Sequence, residues 1–61
     1  MPFLEIHMIK GKTLEQKKEI SKVLTKEVAR IVRVSEDRVK IYFMDVNPED
    51  AVDGGKHLSD A

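Results

Sequence analysis

The 61-residue sequence contains no cysteine and only two histidines. Without cysteine the chain has no disulfide bonds and no thiolate metal site, and two distant histidines argue against a structural zinc. A domain of this size buries only about 60% of its unfolded surface by itself, so it normally needs a disulfide, a metal or a partner subunit. With the first two excluded, self-association is the expected source of additional stability.

An excess of charge of either sign is also missing, because 11 Lys and Arg residues balance 11 Asp and Glu residues. This balance argues against a nucleic-acid partner, which normally requires a basic surface. No apolar run approaches the ~20 residues that span a bilayer, so we expect no membrane partner. The first residues lack the basic and apolar segments of a signal peptide. These features predict a cytoplasmic protein.

The first half of the chain has the pattern of a strand followed by a helix. Residues 3–9 are apolar-rich and partly alternating, as expected of a strand. Thr13 and Gln16 then form a capping-box pattern at the start of a helix predicted over residues 14–33. Apolar residues at spacings of three and four form one stripe on this helix, which consists of Ile20, Val23, Leu24, Val28, Ile31 and Val32.

The second half predicts another strand and a hairpin. Residues 39–44 are apolar and alternating, and Gly54-Gly55 permits a tight turn in the C-terminal tail. A strand, a long crossover helix and a second strand predict a β-α-β unit with parallel strands. The expected fold is therefore a single α+β domain over residues 1–61. Its two-stranded sheet is a poor sheet alone, so partner subunits should cover its edge and its open face.

Pro2 is the position with the most unusual chemistry. If Met1 is removed, as expected before a small residue such as proline, the chain begins with a secondary amine. An α-amino group has a reference pKa of ~7.7–8.0, which burial and nearby cations lower. A neutral amine can accept a proton from carbon or add to a carbonyl. If Met1 is retained, the Pro2 nitrogen is a tertiary amide without basicity, and Met-Pro is only the start of a strand.

The order and spacing of several short motifs resemble the 4-oxalocrotonate tautomerase family over nearly the whole chain. These short proteins begin with Met-Pro and a strand, continue through a glycine turn into a helix, and close with a hairpin. The matching segments here are Met1-Pro2, Lys10-Gly11-Lys12, Glu15-Gln16-Lys17, Arg38-Val39-Lys40-Ile41 and Gly54-Gly55-Lys56. Each motif is loose, and the resemblance is specific because of their combined order, spacing and total length.

The resemblance implies a fold, an assembly and a mechanism. The fold is the β-α-β tautomerase fold, and the assembly is a homo-hexamer, a trimer of dimers. The reaction is proton transfer between carbons of a small 2-oxo or 2-hydroxy unsaturated carboxylate. The general base is the N-terminal proline, which is Pro2 in this sequence. No metal and no organic cofactor is used.

Three positions depart from the family pattern. The two arginines that bind substrate, the second supplied by a neighbouring subunit, fall on Lys12 and Lys40, and the aromatic wall of the pocket falls near Ala51. Lysine keeps the positive charge but loses the bidentate fork that matches a carboxylate. The alternative to a substrate-binding role for Lys12 is that of an ordinary solvent-exposed side chain beside the turn glycine. Arg38, two residues before Lys40 and expected on the same strand face, is a candidate substitute.

Two main functional hypotheses follow. The first is a tautomerase in which Pro2 is the base and Lys12, Lys40 and Arg38 bind substrate. The second is a catalytically weak or silent family member that acts as a partner subunit in a homo- or hetero-oligomer, as the lost arginines suggest. A third hypothesis, nucleic-acid binding, is opposed by the zero net charge and the absence of an aromatic and basic strip.

Overall fold

The computed structural model describes residues 1–60, which form one helix packed on one face of a two-stranded parallel sheet, followed by a small hairpin. In chain order the elements are β1 (Phe3–Ile9), α1 (Leu14–Val32), β2 (Lys40–Val46), β3 (Val52–Asp53) and β4 (Lys56–His57). Short 3-10 helices occupy Glu36–Arg38, Pro48–Asp50 and Leu58–Asp60. The predicted β-α-β unit with parallel strands and a C-terminal hairpin is confirmed. Within residues 1–60, no helix is long and apolar enough to cross a membrane.

Helix α1 begins at the capping box that the sequence predicts. The Gln16 N–H donates to the Thr13 hydroxyl oxygen at 3.1 Å, and the Thr13 N–H donates to the Gln16 side-chain oxygen at 2.9 Å. These two bonds satisfy backbone donors that the first turn leaves without helical partners. At the other end Arg33 adopts a left-handed conformation with φ 64°, and its N–H donates to the Ala29 carbonyl at 2.9 Å. The helix therefore ends at Val32, one residue before the predicted end.

The register of the sheet defines its two faces. Asp45 lies on the side covered by α1, because its carboxylate pairs with the Lys17 ammonium at 3.0 Å. Because side chains alternate between the two faces of a strand, Ile41 and Phe43 of β2 lie on this same side and are half-buried. Their neighbours on β1 on the same side are the half-buried Leu4, Ile6 and Met8. Strand β2 starts one residue later and ends two residues later than predicted. It extends to Val46 because the Lys10 N–H donates to the Val46 carbonyl at 2.8 Å.

A single subunit leaves most of its apolar side chains uncovered. Among the described residues only Ala29 is a buried apolar residue, with 6% exposure. The predicted helix stripe splits in two, because Ile20, Leu24 and Val28 are half-buried whereas Val23, Ile31 and Val32 are exposed. The two-stranded sheet is too narrow to cover the whole apolar stripe of α1. On the far side of the sheet is a second exposed apolar surface, here called the open sheet face, which consists of Phe3, Ile9, Tyr42 and Met44.

The C-terminal hairpin turns at two glycines with positive φ. Gly54 has φ 61° and Gly55 has φ 86°, in the left-handed region where a side chain is strained. Strands β3 and β4 are antiparallel, and the predicted turn is confirmed. A hydrogen bond from the Leu58 N–H to the Ala51 carbonyl, 2.9 Å long, ties the end of the hairpin to its beginning.

Replacing Thr13 by alanine tests the capping box. We expect Thr13→Ala to lower the free energy of unfolding by about 1 kcal/mol, because the Gln16 N–H loses its partner. The measurement is urea unfolding of both proteins at one fixed protein concentration, since association also contributes to stability. Thr13→Ser keeps the hydroxyl and should restore most of the loss. Equal midpoints for Thr13→Ala and the unaltered chain would contradict this role.

The exposed apolar surfaces predict self-association. Sedimentation velocity at micromolar concentration should give a mass that is a multiple of the 7.0 kDa subunit. Tyr42→Glu places a charge on the open sheet face and should shift the mass towards a single subunit. Lys22→Glu introduces the same residue on the charged surface of α1 and should leave the mass unchanged. A monomeric unaltered chain would show that these surfaces do not join copies.

Candidate active site

The first residues of the chain are held at the amino end of the parallel sheet. The Lys40 N–H donates to the Pro2 carbonyl at 3.0 Å, and Phe3 pairs with Lys40 in the strand register. Pro2 is half-buried, whereas the Met1 side chain before it is 80% exposed. The backbone nitrogen of Pro2 is therefore placed at the rim of the sheet, next to the point where β2 begins.

A cavity of about 280 Å³ adjoins the N-terminus and is lined by Met1, Val34, Ser35 and Arg38. The left-handed Arg33 turns the chain away from α1 and directs the following residues past the start of β1. The 3-10 turn after it is closed by a bond from the Arg38 N–H to the Ser35 carbonyl at 3.0 Å. The Ser35 hydroxyl also donates to the Asp37 carboxylate. These contacts form the wall of the cavity that faces the N-terminus.

Arg38 and Lys40 do not share a strand face, so that expectation was wrong. Arg38 lies in the 3-10 helix Glu36–Arg38, and β2 begins only at Lys40. Lys40 lies on the open sheet face beside Phe3 and Tyr42, whose rings are 5.0 Å apart between centroids. Within residues 1–60 neither cation forms an ion pair, because the three pairs present join other residues.

Lys12 lies at the opposite end of the subunit from Pro2. Strand β1 has seven residues and separates the two positions by about 20 Å, at ~3.3 Å per residue. Ala51 and the hairpin follow the carboxyl end of β2, so they are at the same end of the sheet as Lys12. One subunit thus brings Pro2, Arg38 and Lys40 to one end and leaves Lys12 and Ala51 at the other.

Two residues of the cavity were missed by the sequence reasoning. Val34 and Ser35 lie in a segment that reads as an ordinary polar turn, and no local motif marks them. Only the path of the chain after Arg33 brings them beside Met1. Ser35 also has a local role, because it contacts Asp37 two residues along the chain.

A second groove in the structure is a weaker candidate than the cavity beside the N-terminus. A groove of about 460 Å³ runs along α1 and is lined by Gln16, Glu19, Ile20, Val23 and Leu24. Its polar side chains are the Glu19 carboxylate and the Gln16 amide, and its other lining residues are apolar. One of these, Val23, belongs to the exposed part of the helix stripe. In the described part of the chain, no three metal-ligating side chains lie close enough together to hold a metal ion.

Comparison with known proteins gives one consistent group of relatives. A family model described as "Tautomerase enzyme" matches residues 2–61. A "Probable tautomerase" of Bacillus cereus is 30% identical over 60 residues, which cover 98% of each chain. A "2-hydroxymuconate tautomerase" of Bacillus subtilis is 28% identical over 60 residues, which cover 98% of this chain and 97% of the relative.

A solved structure extends the likeness to three dimensions. The heterohexamer 4-oxalocrotonate tautomerase from Chloroflexus aurantiacus is 29% identical and superposes with a TM-score of 0.90, covering 97% of this chain and 95% of its own. The similarity therefore includes the β-α-β unit and its C-terminal continuation.

Proposed function

The chain belongs to the tautomerase family, and from this premise we propose that it interconverts the keto and enol forms of small 2-oxo or 2-hydroxy unsaturated carboxylates. The observation that supports this most directly is the cavity that adjoins the N-terminus, because its lining includes Met1, the residue before Pro2, and the cationic side chain of Arg38. The name of the Bacillus subtilis relative, a 2-hydroxymuconate tautomerase, supports the same substrate class.

In the proposed mechanism the amine of Pro2 is the general base. Removal of Met1 converts the Pro2 nitrogen from a tertiary amide into a secondary amine. Apart from histidine, an α-amino group is the nitrogen base that ionises closest to neutral pH, so part of the population has the neutral amine. The neutral amine accepts a proton from a carbon of the substrate and returns it to another carbon of the conjugated system.

The cations at the two ends of the subunit bind the anionic parts of the substrate. Arg38 is in reach of the cavity beside Pro2, and Lys40, supplied by a neighbouring subunit, stabilises the developing enolate oxygen or a carboxylate. Lys12 holds the other end of the substrate. Because Lys12 is at the far end of its own subunit, it can reach a Pro2 site only from another copy. This division of the site supports an oligomer, and a homo-hexamer in the cytoplasm stays the prediction.

A second function has its own support. The chain has lysines at both positions where the resemblance places substrate-binding arginines, and alanine at that of the aromatic wall. A chain with these replacements would act as a catalytically weak or silent partner subunit, in a homo-oligomer or beside a sister chain that supplies the arginines. The Chloroflexus aurantiacus relative is described as a heterohexamer, which supports the mixed assembly.

Replacing Pro2 by alanine tests the proposed base. With Met1 removed, we expect Pro2→Ala to lower kcat/KM on 2-hydroxymuconate or phenylenolpyruvate by about a hundred-fold or more, in the range typical of a lost general base. The expected residual activity reflects the primary amine that alanine still provides. Lys22→Ala is the control, because Lys22 is exposed on the charged surface of α1 and does not line the cavity, and it should retain full activity.

The state of the N-terminus gives an independent control. Intact mass distinguishes the chain that has lost Met1 from the chain that keeps it, and only the shortened chain should turn over substrate. Full activity with Met1 retained would exclude Pro2 as the base. A correctly shortened chain without activity would instead favour the partner-subunit function, and a co-purifying sister chain would identify the mixed assembly.

A further inference from the structure

Glu5 and His7 bring two metal-ligating side chains together on the open sheet face. They are two residues apart in β1, so their side chains lie on the same side of the strand, away from α1. The His7 Nε2 atom and a Glu5 carboxylate oxygen are 3.4 Å apart. The side chain of His7 is 62% exposed and that of Glu5 is 47% exposed, so a dissolved ion has access to both.

The distance between these two atoms is long for a hydrogen bond but fits two ligands of one metal ion. A charge-assisted hydrogen bond from nitrogen to oxygen is about 2.7–2.9 Å long. Zinc binds an imidazole nitrogen at about 2.0–2.1 Å and a carboxylate oxygen at about 2.0–2.2 Å, with tetrahedral geometry. Two ligands at these distances, with an angle of about 109° between them, are about 3.4 Å apart. The observed separation of 3.4 Å equals that spacing.

The strand beside the pair offers uncharged neighbours. In the register of the parallel sheet Glu5 is beside Tyr42, and His7 is beside Met44. Within residues 1–60, no lysine or arginine forms an ion pair with the Glu5 carboxylate. A divalent cation can therefore bind at the pair without displacing a cationic side chain.

A single subunit supplies only half of a closed zinc site. A structural zinc ion has four protein ligands. In the part of the chain that the structure describes, no third metal-ligating side chain lies close enough to complete the pair. The exposed apolar side chains of the open sheet face surround the pair and favour contact with a second copy of this chain. In a two-fold arrangement the same patch meets itself, so two copies together supply two imidazoles and two carboxylates.

We propose that Glu5 and His7 of two copies form a tetrahedral zinc site that joins the open sheet faces of those copies. The donor set suits zinc, because it mixes nitrogen and oxygen ligands, whereas calcium and magnesium take oxygen ligands. The two histidines of one chain are distant in sequence, and this site instead uses the same histidine from two chains. The inference is independent of the proposed function, since neither ligand takes part in the proposed proton transfer and the zinc ion stabilises the assembly.

Zinc titration of the chain, after treatment with EDTA and removal of the chelator, tests the site. Calorimetry should give one Zn²⁺ per two chains. His7→Gln and Glu5→Gln should each weaken binding by about ten-fold or more, because loss of even an outer-shell partner costs about 10–100-fold in metal affinity. His7→Cys should restore binding in a non-chelating reductant, because a thiolate is also a zinc ligand.

His57→Gln is the matched control for His7→Gln. His57 is the other histidine of the chain, and it lies in β4 with its Nδ1 atom 2.8 Å from the Glu49 carbonyl oxygen. Because it is not part of the pair, its replacement should leave the zinc affinity unchanged. Circular dichroism confirms that each variant is folded, and Glu5→Gln decides the question if His7→Gln does not fold.

Sedimentation velocity tests whether two copies share the ion. Zinc at about 100 times its dissociation constant should strengthen the association of copies by up to about a hundred-fold, because it binds the pair of copies in preference to one copy. Mg²⁺ should have no such effect, and His7→Gln should lose the response to zinc. One Zn²⁺ per chain, an unchanged zinc affinity in both His7→Gln and Glu5→Gln, or an assembly that zinc does not strengthen would each overturn the proposal.

Discussion

The hydrogen bond from the Lys40 N–H to the Pro2 carbonyl, 3.0 Å long, joins the beginnings of the two parallel strands. It holds the first residues of the chain against the start of β2 and so brings them beside the turn that contains Arg38. Without this contact a terminal proline would be free to fray, as chain termini commonly do. The cavity, the half-buried position of Pro2 and the short path from Arg38 all depend on it.

The same parallel arrangement separates the other residues that we propose for the site. Parallel strands place both of their amino ends at one edge, so Lys12 and Ala51, which follow the carboxyl ends, cannot reach Pro2 within one subunit. The small core also favours association of several copies, because one subunit buries little apolar surface by itself. Within the described part of the chain, only Ala29 is a buried apolar residue. Both the chemistry and the packing of this chain thus favour further copies.

Local sequence signals predicted most of the fold. The bounds of β1, the capping box at Thr13 and the turn at Gly54-Gly55 are confirmed, because each depends on residues only a few positions apart. The division of the helix stripe was not predicted, since it depends on how much of α1 the sheet can cover. The placement of Arg38 was also missed. Arg38 ends a 3-10 turn, in which the Ser35 hydroxyl contacts Asp37, and it does not lie on the strand face expected for it. The cavity requires contacts between distant parts of the chain that no spacing rule gives.

The most direct test of the account is the ionisation of the Pro2 nitrogen in the chain that has lost Met1, followed by ¹⁵N NMR across the pH range. In the proposed mechanism the neutral amine is the reactive form, so activity should be lost as the pH falls through its pKa. We predict that the kcat/KM profile has the same midpoint as the titration of the Pro2 nitrogen. A kcat/KM that stays constant while the Pro2 nitrogen titrates would contradict the account.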